Sequence, residues 1–145
     1  MKKIKVLHII VIALTILSLT SIAAGGVRRF NIRMTGAAEA PGPGDPDGSG
    51  KAKLGLFLGH GEVCFLLKVS DIALPATGAH IHKAPAGSPG PVVVALTAPN
   101  AKGFSVGCVA AERELIKDII QNPEEYYVNV HSTEFLAGAV RGQLK

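Results

Sequence analysis

Tryptophan is absent from this 145-residue chain, aromatic residues make up only 5% of it and charged residues 18%. Set against 48% hydrophobic residues, 17 glycines and 9 prolines, the shortage of aromatics favours a sheet protein with many turns over a helical bundle. So small a charged fraction argues against a disordered tail and against a nucleic-acid binder with a broad basic face. The length suits one domain with one core and is too short for two separate enzyme domains. No phosphate-binding loop and no H-E-x-x-H pair is present, which removes common nucleotide-binding and metallohydrolase readings. No internal repeat and no alternation of strands with helices is visible either.

What is there begins with a basic start. Lys2, Lys3 and Lys5 precede an uncharged run from Val6 to Val27, and without these three the formal charge of +4 falls to +1. The basic balance therefore belongs to the leader, and attraction to nucleic acid is not indicated. Basic start, apolar run and the small residues of Ser21-Ile-Ala-Ala-Gly-Gly read as a secretory signal peptide over residues 1–24, cut at Ala23 or Ala24, ahead of a domain over 25–145. The apolar run of 22 residues is also long enough to span a bilayer. An uncleaved anchor through residues 6–27 is the alternative, and only then would the protein meet a membrane.

Export sets the reading of the two cysteines, because thiol pairs outside the cytoplasm are usually oxidised. Cys64 and Cys108 lack the spacing of a C-x-x-C motif, and each lies in a strand-like run. A structural disulfide is expected between them.

Past the leader, short apolar or alternating runs are cut by turn residues at the spacing expected of a sandwich or barrel. The runs predict strands over 29–35, 51–58, 62–70, 79–83, 91–96, 103–110, 126–131 and 139–144. Between them lie segments such as Gly42-Pro-Gly-Asp-Pro-Asp-Gly-Ser-Gly, Gly59-His-Gly and Ala84-Pro-Ala-Gly-Ser-Pro-Gly-Pro, whose glycines and prolines are turn chemistry. One helix is predicted over 112–121, with Leu115, Ile116, Ile119 and Ile120 at helical spacing and Asn122-Pro123 as its stop. Two motifs fail on context. Asp45-Pro-Asp-Gly-Ser-Gly opens like a calcium loop but places Leu56 where a bidentate Glu is needed, so it reads as a hairpin turn. Leu74-Pro-Ala-Thr-Gly spells a wall-sorting signal, yet a long stretch of domain sequence follows it.

A histidine constellation remains: Ala79-His-Ile-His-Lys and Tyr127-Val-Asn-Val-His131. Side chains alternate along a strand, so His80 and His82 share one face, and Tyr127, Asn129 and His131 share the face opposite Val128 and Val130. If the two strands are neighbours, three imidazoles converge, a set that suits copper or zinc more than calcium or magnesium. The competing reading is a polar network in which the rings bond to loop carbonyls, Asn129 or Ser132. Arg141 could draw an anion towards a metal, or pair with Glu134, or bond to turn carbonyls. Of Tyr126 and Tyr127, one is expected in the core and one at the rim, and His60 reads as an exposed turn residue.

The blocks His80-Ile-His-Lys-Ala-Pro-Ala-Gly-Ser-Pro-Gly-Pro, Tyr126-Tyr-Val-Asn-Val-His-Ser-Thr-Glu-Phe and Arg141-Gly-Gln-Leu, in this order, resemble the CHRD domain, the module repeated in chordin and found singly in exported bacterial proteins. The resemblance runs from about Phe30 to Leu144. It implies an all-β fold, an antiparallel Greek-key β-sandwich similar to that of Cu/Zn superoxide dismutase, here with one short helix. Against that dismutase, His80 and His82 resemble the paired copper ligands and His131 a later one. No bridging histidine and no further His and Asp cluster for zinc is present, and Leu136 stands where many relatives carry proline. The family implies no single activity and no catalytic residue. The expectation is thus an extracytoplasmic binding or structural module with an unspecified protein or ligand as partner. Its alternative is a mononuclear copper protein with redox or copper-handling activity, in which Asn129 and Arg141 support the ligands.

Overall fold

The computed structural model describes residues 26–145. Apart from Gly26 and Val27, the leader and anchor readings fall outside the described residues. Eight strands follow in order: β1 (Arg28–Thr35), β2 (Ser49–Phe57), β3 (Glu62–Ser70), β4 (Gly78–Lys83), β5 (Val92–Leu96), β6 (Phe104–Ala110), then helix α1 (Arg113–Gln121), β7 (Tyr126–His131) and β8 (Val140–Gln143). Each lies where the sequence predicts a strand, and the ends differ by a residue or two. All pairings are antiparallel, in the order β5-β4-β7-β8-β1-β2-β3-β6. Between β8 and β1 only Thr35 and Arg141 pair. The sheet bends there into two four-stranded walls, one ending at β5 and the other at β6, which makes a nearly closed all-β fold with one short helix.

Alternation along the strands builds the core. Phe30, Ile32 and Met34 of β1, Leu54 and Leu56 of β2, and Val63, Phe65 and Leu67 of β3 meet Ile81, Val94, Val128, Val130 and Val140 of the other wall in a single cluster. Burying such side chains contributes roughly 1.5 to 3 kcal/mol each. Helix α1 adds the buried Ile116 and Ile119 to that cluster, and Pro123 ends it as the sequence predicts. Asp118 on its outer side accepts hydrogen bonds from Lys83 Nζ at 2.6 Å and from the Tyr126 hydroxyl, tying the helix to β4 and β7.

Cys64 of β3 lies directly opposite Cys108 of β6, and the two form a disulfide. The segment read as a hairpin turn at Asp45 is part of a longer connection, residues 36–48, that joins two strands in register from Thr35 and Ser49. Asp45 Oδ1 accepts the Asp47 amide at 3.2 Å within it, which is turn chemistry and not an ion cage. Among the described residues no helix is long and apolar enough to cross a membrane.

Candidate metal centre

Strands β4 and β7 are neighbours, with Gly78 opposite His131, His80 opposite Asn129 and His82 opposite Tyr127. Ala79, Ile81, Val128 and Val130 turn into the core, so the period of two sends the three histidines to the outer face. Strand β8 extends that face, with Arg141 opposite Asn129 and Gln143 opposite Tyr127. An outer face is ordinarily wet. Here the connection between β4 and β5, residues 84–91, folds back over it as a roof of backbone carbonyls. Arg141 donates from Nη1 to Ser88 O at 2.8 Å and from Nη2 to Pro85 O at 2.9 Å, and Gln143 Nε2 donates to Ala84 O at 2.8 Å. Under this roof Arg141 and Asn129 are each 1% exposed and His82 is 7% exposed. The fold of the roof needs Gly90, since a Cβ there would strike the Lys83 carbonyl.

Two carbonyls set the histidine tautomers. His82 Nδ1 lies 2.8 Å from Gly90 O and His131 Nδ1 lies 3.0 Å from Leu136 O. A carbonyl only accepts, so both Nδ1 atoms carry the proton and both Nε2 atoms present lone pairs. The Nε2 of His131 meets His80 Nδ1 at 3.0 Å, which makes His80 the donor there. The Nε2 of His82 is buried with no partner among the described residues. One ring nitrogen from each histidine lies within 4.8 Å of the others, and the ring centroids are 5.0 to 6.3 Å apart. Gly78 leaves the room for this, because a Cβ there would press on the rings of both His80 and His131. Burial, and then the neighbouring rings, hold His80 below the ordinary imidazole range. Burial likewise lowers His131, against the opposing pull of the Leu136 carbonyl.

Three histidines predicted to share a face thus share a cluster, and His60 does not join it: it stacks on Phe57 in the turn between β2 and β3. Arg141 lies behind the cluster, its donors engaged by the roof and by Gln143, and it makes no pair with Glu134. Asn129 sits between His80 and Arg141 with its Oδ1 unpartnered. The tyrosines depart from expectation, since both are buried. Tyr127 faces outward, but the roof covers it, and its ring stacks on His82 at 4.7 Å and under the Arg141 guanidinium at 3.4 Å. Gly103-Phe-Ser-Val-Gly107 spells the G-x-S-x-G pattern of hydrolases by letter. It runs into β6 with no strand-to-helix elbow, and the buried Ser105 hydroxyl donates to Thr97 O at 2.7 Å.

The sequence reading missed Glu39, which lies in the connection between β1 and β2. Burial raises its carboxyl to about 7, against the lowering influence of Arg141 and Asn129. A carboxyl raised on folding favours the folded state at low pH, and that advantage is lost as pH climbs from 4.5 through about 7. Glu39→Gln is therefore expected to raise the thermal midpoint at about pH 8 and leave it unchanged at about pH 4. Equal midpoints at both pH values would show that Glu39 ionises freely.

The donor set fits a transition metal. Two of its rings, His82 and His131, donate their Nδ1–H groups to carbonyls, the arrangement that orients metal-ligating histidines. The buried lone pair of His82 lacks only an acceptor of electrons. Metal–nitrogen bonds are about 2.0 to 2.1 Å, so small side-chain adjustments would bring all three nitrogens onto one ion. The other grouping of this kind, Glu62 with Cys64 and Cys108, has both sulfurs in the disulfide. No curated protein and no protein of solved structure matches the chain. The sequence profile of the CHRD domain matches residues 30–144, from the first core residue of β1 to the last core residue after β8, and the chain belongs to the CHRD family.

Proposed function

We propose that this CHRD domain is an extracytoplasmic module that binds one copper ion through His80, His82 and His131. The observation that carries the reading is the convergence of one ring nitrogen from each histidine within 4.8 Å of the others, beside a buried His82 Nε2 that has no partner among the described residues. Copper is preferred over zinc at ordinary nitrogen sites by the Irving–Williams order. When bound, copper supplies one-electron redox chemistry or is itself the cargo. The chain's part is to hold and shield the ligands. Gly90 and Leu136 fix two ring tautomers, Tyr127 stacks beneath His82, and the roof keeps water from one side. His80 Nδ1, a donor to His131, can ligate only if its proton moves to Nε2.

Untagged protein titrated calorimetrically with Cu(II) and Zn(II) should bind one equivalent of copper, more tightly than zinc. Absence of stoichiometric copper would leave the family's general reading, a binding or structural module in which the histidines form a polar network.

The compartment rests on the leader and on the disulfide, since oxidised cysteine pairs are rare in the cytoplasm. Intact mass of the exported protein should correspond to residues 25–145. A mass that retains residues 1–24 in the membrane fraction would assign the leader as an anchor.

A further inference from the structure

The wall opposite the histidines carries a second feature that the copper reading does not use. On its outer face Arg33 of β1, Lys51 of β2 and Lys68 of β3 stand directly opposite one another in register. Lys53 lies two residues along from Lys51, and Arg29 lies further along β1. All five side chains are exposed, and among the described residues none of them forms an ion pair. Like charges directly opposite one another on neighbouring strands repel and destabilise a sheet, so this row is a cost that the fold bears without internal compensation.

The cations line a trough. Its largest part, a groove of about 360 Å³, is walled by Arg33, Lys51 and Lys68 with the hydroxyl-bearing Thr35, Ser49 and Ser70. Through Arg33 and Lys51 it continues into a second groove that adds Asn31 and Lys53. Through Asn31 and Lys53 it continues into a third that reaches Arg29. No Asp or Glu lines any of the three. At a rise of about 3.3 Å per residue along β2, the trough runs for roughly 20 Å. Elsewhere acids outnumber bases: apart from the first five residues and these five cations, the chain holds 7 Lys or Arg against 11 Asp or Glu.

We propose that this trough binds a linear acidic polysaccharide. Its length and single sign of charge call for a polyanion. A flat lipid surface would draw on cations wherever they are exposed, whereas a chain molecule can follow the connected grooves along β1 and β2. An acidic peptide would gain most by pairing with a sheet edge, but β1, β2 and β3 are interior strands whose backbone groups are already paired. Only side chains are on offer, and they are cations interleaved with hydroxyls and an amide, which match a polymer carrying a carboxylate and several hydroxyls on each sugar.

Immobilised polygalacturonate is the probe. Wild type should be retained at about 50 mM salt and released as salt screens the contact. The variant Arg33→Gln/Lys51→Gln/Lys68→Gln should bind roughly tenfold or more weakly. Its thermal midpoint should be equal or higher, since the mutual repulsion is gone, so weak binding could not be blamed on misfolding. The same loss of charge at Lys102, Lys117 and Lys145 should leave retention unchanged. Wild type in the flow-through, or equal retention of the two triple variants, overturns the assignment. So does co-sedimentation with phosphatidylglycerol-containing vesicles without retention on the polysaccharide, which would assign the face to a lipid surface. Copper titration reads the opposite wall, so either proposal can fail alone.

Discussion

Replacing His82 with alanine is expected to reduce copper affinity by about a hundredfold or more, and to remove stoichiometric binding at micromolar protein. Its Nε2 is a buried lone pair with no partner among the described residues, whereas His80 and His131 already bond each other. Removing either of those two should also weaken binding strongly, and His60→Ala should not, because it lies in a distant turn. The pH dependence follows from the lowered positions of His80 and His131. A histidine depressed on folding stays neutral to lower pH, so copper should persist below the ordinary imidazole range near 6.5 and leave on further acidification. The same sign applies without metal: stability present above pH 6.5 is lost as pH falls through the lowered values. Calorimetric titration of wild type and the four single variants at several pH values reads both effects. Full copper binding by His82→Ala would dismiss the three-histidine site.

The second large effect is expected at the disulfide. Cys64→Ser should lower stability by about 2 to 5 kcal/mol, in line with a closed loop whose chain-entropy contribution is about 4 kcal/mol. The partners are 44 residues apart in sequence. Strand β6 ends its wall, with β3 as its only ladder partner among the described residues, so it should be the first element to exchange its amides when the bridge is lost. Copper affinity should not change, because the histidines stand on the other wall. Urea denaturation with and without reductant provides the measurement, and an unchanged midpoint would show that strand pairing alone holds β6.

The elements of the fold were legible because each obeys a local rule. Short apolar or alternating runs cut by turn residues marked all eight strands, and Leu115, Ile116, Ile119 and Ile120 marked the helix. The shared face of His80, His82 and His131 was legible for the same reason. Their convergence was not, since it depends on β4 lying beside β7, two strands whose histidines are 51 positions apart. Nor could periodicity show that a polar face would be buried. One tyrosine of the pair was expected at the rim; alternation turns Tyr127 outward, and only the fold of residues 84–91 covers it. Glu39 carried no signal, as its environment is assembled from Arg141 and Asn129 at the far end of the chain. The row of Arg33, Lys51 and Lys68 was hidden by the near-neutral total, which averages over surfaces that the sheet separates.

The roof holds His82 and Arg141 by hydrogen bonds to backbone carbonyl oxygens, and every residue type brings the same carbonyl. Natural drift at Pro85, Ala86, Ser88 or Pro89 is therefore nearly silent to the ligands, provided Gly90 stays and Gly87 keeps its positive φ of 79°. That tolerance makes the exposed Pro85, Ala86 and Pro89 an engineering handle: their side chains can be exchanged on the outside of the roof without altering the carbonyl groups that orient the site.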